Sequence, residues 1–72
     1  MGPELRNGDI IARHIGDGQF RLARFVNGAD LPLAKEAALD RGEAEARART
    51  IAAAIQSCAW MEALDGTLRC LD

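Results

Sequence analysis

The sequence predicts an α+β fold: a two-layer domain whose antiparallel sheet, built from two β-hairpins in the order ββαββ, packs on one main helix. Three stretches carry this reading. "GDIIARHIGDGQFRLARFVNG" places β-prone runs on either side of a Gly-Asp-Gly turn signal. "DRGEAEARARTIAAAIQS" combines a helix-capping pattern with apolar residues at helical spacing. "CAWMEALDGTLRCLD" centres on Asp65-Gly66, a preferred two-residue hairpin turn.

The first hairpin is expected over about 9–27, with Ile10 to Ile15 and Gln19 to Val26 as its strands. A two-residue turn at Asp17-Gly18 pairs Ile15 with Phe20 and Arg13 with Leu22. Because strand side chains alternate, one face then carries Ile11, Ile15, Phe20, Leu22 and Val26, and the other Ile10, Ala12, His14, Arg21, Ala23 and Phe25. The first face is the better core candidate, although Arg13 and Arg24 interrupt it; a three-residue turn would re-pair both faces. Asn27-Gly28 then ends the second strand.

Residues 30–39 read as a loop or a short helix. Asp30 could cap such a helix, with Pro32 in its first turn, and "LAKEAAL" is rich in helix formers. Gly42 argues against a single helix from here to Ile55, since glycine costs about 1 kcal/mol relative to alanine in a helix interior.

The main helix is expected over about 41–57. Asp40 and Glu43 have the spacing of a capping box. Glu43–Arg47 and Glu45–Arg49 are i,i+4 pairs in the favoured order, each worth about 0.2–0.5 kcal/mol. Ala44, Ala48, Ile51, Ala52 and Ile55 form one stripe, and its alanines let a helix approach a sheet closely.

The last hairpin, about 58–71, competes with a continuation of the helix. In a continued helix Trp60 would stand nine residues beyond Ile51 and, at about 100° per residue, on the opposite side from the stripe. A hairpin turning at Asp65-Gly66 instead sets Trp60 opposite Leu71, Met61 opposite Cys70 and Glu62 opposite Arg69, the last a favourable charge pair. Against it, Ala, Met, Glu and Leu are helix formers, and Gly66 could follow a helix C-terminus.

This order of elements, with "GDGQFRLARFVNG", an "EAEARARTIAAAI" helix and a terminal Trp60…Asp65-Gly66 hairpin, resembles small bacterial proteins of unknown function. The resemblance covers most of the chain and implies no activity, cofactor or catalytic residue.

Composition bounds the function. Seventy-two residues make one domain, 1–72, near the lower limit for unaided folding. Apolar residues are 49% and charged residues 28%, the usage of a globule, but many of the apolar residues are alanines. The scarcity of large side chains points to self-association. A net charge of −2 draws the chain neither to nucleic acid nor to anionic lipid as a whole. No run approaches the roughly 18 apolar residues of a membrane span, and "MGPELRNGD" lacks a signal-peptide pattern, so a cytoplasmic location is expected.

No catalytic, cofactor or metal constellation emerges. His14, the single histidine, has no evident partner base or nucleophile and reads as a surface or edge residue. Cys58 and Cys70 with one distant histidine do not make a zinc set, and free thiols are expected. Gly16 and Gly18 are explained by the turn. Two classes of function remain. The first is a non-enzymatic interaction module that forms a homodimer or meets a protein partner through an exposed Trp60, Leu64 and Leu71 surface; the alternative placement of Trp60 is against the helix, completing the core. The second is a nucleic-acid-binding module using Arg6, Arg13, Arg21 and Arg24 of the first hairpin, with Phe20 or Phe25 stacking on bases.

Overall fold

The computed structural model describes residues 5–33 and 39–71. The protein is α+β, with one helix and a mostly antiparallel sheet. In chain order come β1 (Ile10–Gly16), β2 (Gln19–Val26), β3 (Ala29–Pro32), β4 (Leu39–Asp40), α1 (Arg41–Ala54), β5 (Ala59–Glu62) and β6 (Leu68–Cys70). The sheet order is β3-β2-β1-β5-β6, with β4 also paired to β2. All pairs are antiparallel except β1 with β5, at the centre. A parallel pair requires a crossover connection, and α1 lies in the segment that supplies it.

The contest over the C-terminal segment resolves in favour of extended backbone. Ala59–Glu62 pairs with β1 on one side and β6 on the other. The helix stops at Ala54 rather than near 57. Gln56 takes a left-handed conformation (φ 56°), and the Ser57 and Gln56 amides donate back to the Ala52 and Ala53 carbonyls at 2.8 and 3.3 Å. This is the Schellman pattern, which normally favours glycine at the left-handed position. Gln56→Gly is therefore expected to raise stability by about 0.5–1 kcal/mol, read as an upward shift of the urea midpoint.

Two further strands extend the expected plan. Asn27 and Gly28 both have positive φ (51° and 81°), as a two-residue hairpin turn demands. The chain therefore folds back, and Ala29–Pro32 pairs with β2 instead of leaving the sheet. Asp30, expected as a possible helix cap, lies in this strand. Of the 30–39 segment expected as loop or short helix, residues 34–38 lie outside the described residues; Leu39–Asp40 is extended and pairs with Gln19 and Phe20.

The first hairpin turns at Asp17-Gly18 as expected, with Gly16 opposite Gln19. A bulge between His14 and Gly16 then shifts the register, pairing His14 with Phe20, Ala12 with Leu22 and Ile11 with Ala23. This corrects the expected faces. A one-residue slip in one strand moves its whole side-chain set to the other face. Here it brings Ile10 and Ala12 onto the same side as Phe20 and Leu22, and Ile15 is left 45% exposed.

That side receives the helix. Ile10, Ala12, Phe20 and Leu22 pack with Ala59, Met61 and Leu71 of the C-terminal segment and with Ala44, Ala48 and Ala52 of α1. The buried helix positions are all alanine, spaced by one turn, so α1 lies close against the strands. Ile51 is half-buried against this core and Ile55 is exposed. Asp40 caps the helix, its Oδ1 accepting from the Glu43 amide at 2.8 Å. The pairs Glu43–Arg47 and Glu45–Arg49 both form, at 3.9 and 3.2 Å. Arg49 also donates to the Leu71 carbonyl, tying the helix to the end of the sheet segment. Ala48→Leu is expected to cost about 1–3 kcal/mol, because no room exists at the helix–sheet seam. Ala46→Leu, on the exposed side, is expected to stay within about 0.5 kcal/mol; urea denaturation compares the two.

The opposite face of the sheet is also closely covered. Ala23, Ile11, Trp60 and Cys70 stand side by side across four strands, and the first three are buried. Trp60 thus faces away from α1 yet is only 4% exposed. Its indole Nε1 donates to Asp9 Oδ2 at 3.0 Å. The same carboxylate accepts from the Arg6 amide at 3.0 Å and, through Oδ1, from the Cys58 amide at 3.2 Å. Asp9, itself 4% exposed, is the only buried charged residue among those described. Three N–H donors compensate its burial.

The second hairpin is shifted by one residue from the expected register. Trp60 opposes Cys70, Met61 opposes Arg69 and Glu62 opposes Leu68. The Asp65-Gly66 dipeptide does not form a two-residue turn. Instead the Gly66 amide donates to the Ala63 carbonyl at 2.9 Å, and the Ala63 amide donates to the Thr67 carbonyl at 2.7 Å. Gly66, at φ 89°, occupies the bulge position of a three-residue loop. Asp65 secures that loop by accepting from both the amide and the hydroxyl of Thr67, at 3.0 and 2.7 Å.

Candidate binding cleft

Three chain features meet at one end of the sheet: the β1–β2 turn, the β5–β6 loop and the first residue of α1. They enclose a cleft of about 790 Å³. Its apolar wall is Phe20, Met61, Leu64 and Leu68; its polar groups are His14, Arg41, Glu62, Asp65, Thr67 and Arg69.

The bulge builds the wall. By shifting β1 it brings His14 opposite Phe20 on the helix-facing side, and their rings meet edge to face with centroids 5.2 Å apart. Nε2 of His14 is buried and has no hydrogen-bond partner. An orphaned buried polar atom is uncommon in folded proteins and calls for a physical explanation. The aromatic contact fixes the ring without satisfying that nitrogen.

The acids of the cleft are already engaged within the chain. Glu62 accepts from Arg13 Nη1 at 3.2 Å through Oε2, and from the His14 amide at 3.0 Å through Oε1. The latter bond caps the free edge of β1 just past its pairing with β5. Asp65 is held below the usual carboxylate range, first by the Thr67 amide and then by the Thr67 hydroxyl. The cations differ. Neither Arg41 nor Arg69 forms an ion pair among the described residues.

The residues expected to form an interaction surface do not share one. Trp60 is buried on the face away from the helix and bound to Asp9, while Leu71 is buried in the core beneath the helix. The register shift separates them, because Leu71 now lies on the Met61 side of the strand pair. Leu64 alone is open, at 87% exposure, and it belongs to the rim of the cleft.

The four N-terminal arginines are likewise dispersed. Arg13 forms a bidentate pair with Asp30, at 2.7 and 3.3 Å, and reaches Glu62 as well. Asp30's hydrogen bond is the largest cause raising the Arg13 guanidinium above its ordinary pKa. Arg13 therefore ties β3 to β5 across β1 and β2. Arg21 is exposed opposite Arg13, and Arg24 lies on the other side of β2, pairing with Ile10 and Leu31. Arg6 sits in the turn preceding β1, its amide bound to Asp9.

Arg41, Met61 and Arg69 are cleft residues for which no functional role was expected, whereas His14 was expected at a surface or edge and Phe20 in the core or stacked on bases. The available signal was Gly16 directly before the Asp17-Gly18 turn, since glycine beside a turn readily accepts a bulge. Among the described residues, no cluster of His, Cys, Asp and Glu could hold a metal ion, and no disulfide joins Cys58 and Cys70. No helix is long and apolar enough to cross a membrane. Comparisons with protein-family models, curated proteins and solved structures find no match.

Proposed function

We propose that the protein is a small non-enzymatic binding module whose ligand site is the cleft at the end of its sheet. The observation that carries this reading is the largely apolar cleft itself, lined by Phe20, Met61, Leu64 and Leu68 with a few polar side chains at its rim. A volume of about 790 Å³ lies in the range of small-molecule sites, which combine apolar walls with a few polar groups. The elements around the cleft are held by internal contacts that leave its interior open: the Asp65–Thr67 loop clasp, the Asp40 cap and the Glu62 bridge. Two of the three residues that motivated self-association are buried, and Arg13, one of the four arginines expected to contact phosphates, is paired with Asp30 and Glu62, so the proposal rests on the cleft rather than on either surface.

Amide chemical shifts test it. A screen of small amphipathic fragments against the ¹⁵N-labelled protein is expected to move Gly18, Leu64, Thr67 and Arg69 together and saturably. A screen in which these amides stay still while other sites respond would remove the basis for the proposal.

A further inference from the structure

We infer that the cleft selects organic anions: a carboxylate on a compact apolar body, with Arg41 and Arg69 reading the carboxylate. This rests on the binding-module reading and adds the chemistry of the ligand. The argument is one of charge that is spent and charge that is not. The cleft holds two acids and two arginines, and so would be neutral if all four groups were equally available. They are not. Both Glu62 oxygens accept hydrogen bonds and its charge is offset by Arg13, whereas Asp65 accepts from Thr67 through Oδ1 alone and keeps its negative charge, which leaves one acid against two arginines. Arg13 lies on the other face of the sheet and is paired with both Asp30 and Glu62. Arg41 and Arg69 remain, with ten N–H donors between them by chemistry and no carboxylate partner among the described residues. The cleft therefore keeps a net positive charge, carried by the two arginine forks, with Asp65 Oδ2 as an open acceptor beside them.

The geometry is consistent with a single amphipathic occupant. Arg41 opens α1, on the helix side of the cleft, and Arg69 comes from β6, opposite Met61. The planar fork of an arginine matches a carboxylate with two parallel hydrogen bonds. Phe20, Met61, Leu64 and Leu68 supply the apolar surface that would cover the rest of such a molecule. Leu64, 87% exposed on a loop that Asp65 and Thr67 hold rigid, would lose solvent contact on binding.

The test titrates the ¹⁵N-labelled protein with octanoate and, separately, with octan-1-ol, for the parent protein and for the double variant Arg41→Gln/Arg69→Gln. Neither side chain forms a hydrogen bond or ion pair among the described residues, so the unfolding midpoint of the variant is expected to match the parent. Octanoate is expected to shift the Gly18, Leu64, Thr67 and Arg69 amides saturably and about tenfold more tightly than octan-1-ol, as loss of a charged hydrogen-bond partner implies. The double variant is expected to lose that advantage while its affinity for octan-1-ol stays unchanged. Equal binding of the acid and the alcohol to the parent, or undiminished octanoate binding by the variant, overturns the selectivity for anions and leaves the binding-module reading standing. If neither molecule moves the cleft amides, both fall.

Discussion

Asp9→Ala is expected to leave the protein largely unfolded at 25 °C. The Asp9 carboxylate accepts three hydrogen bonds, from the Arg6 amide, the Cys58 amide and the Trp60 indole, and it is almost wholly buried. Hydrogen bonds to charged groups contribute about 1.5–3 kcal/mol, and a buried donor left without a partner costs about 1–3 kcal/mol. The indole N–H cannot turn to water, because Trp60 is 4% exposed. A loss of about 3–5 kcal/mol follows, against a total stability of roughly 3–5 kcal/mol for a chain of this size. Circular dichroism and a urea titration measure it. Asp9→Asn keeps the shape but turns one acceptor into a donor facing N–H groups, so an intermediate loss is expected. Trp60→Phe removes the indole donor and should cost less in the Asp9→Ala background than in the parent. A double-mutant cycle with no coupling between the two sites would show that the indole bond contributes nothing.

Phe20→Ala should be comparably damaging, for a different reason. Phe20 is 5% exposed, sits in the helix-facing core and carries the edge of the His14 ring. Truncating a buried phenylalanine costs about 3–5 kcal/mol, combining lost transfer energy with an unfilled cavity. The core around it is rich in alanine, whose short side chains cannot lean in to fill the space. Phe20→Leu preserves most of the volume and is expected to cost less than about 1.5 kcal/mol. In that variant the His14 imidazole proton resonances should move, since the aromatic neighbour is gone while the fold remains. An Ala variant as stable as the parent would show that the sheet–helix layer does not depend on this side chain.

The elements of the fold were legible wherever a local signal was strong. Asp40 with Glu43, the i,i+4 charge pairs and the Ala44–Ala48–Ala52 stripe all announce one helix, and that helix forms. Asp17-Gly18 announces a hairpin, and the chain turns there. The argument that a continued helix would strand Trp60 opposite the stripe holds: the segment is extended. What failed was register. Counting from a two-residue turn cannot detect an unpaired Ile15, and the same arithmetic at Asp65-Gly66 misses the bulge at Gly66. Each miss is one residue long, and each exchanges the faces of a strand. From the first followed the misassigned faces of β1, with Ile10 and Ala12 placed away from the core; from the second, the pairing of Trp60 with Leu71.

The cleft residues were illegible for a related reason. Arg41, Met61 and Arg69 lie far apart in the chain from His14 and Phe20. They meet because β5 pairs in parallel with β1, which no local pattern announces. Arg13 illustrates the converse. In the sequence it belongs to a set of four basic residues, whereas in space it is held by Asp30 and by Glu62, the latter 49 positions away.

By itself, then, the sequence determined one α+β domain with a capped alanine-striped helix, a hairpin at Asp17-Gly18 and an extended segment around Trp60. Those outcomes depend on interactions spanning at most a few residues, whose energies can be judged from residue types alone. Only the tertiary structure decided the bulges, the parallel β1–β5 pairing, the anchoring of Trp60 on Asp9 across 51 positions and the cleft that Arg41 and Arg69 help to line. These arise from which face of each strand must be buried beneath the helix. That demand is collective: the whole core sets it at once, and no stretch of the chain contains it.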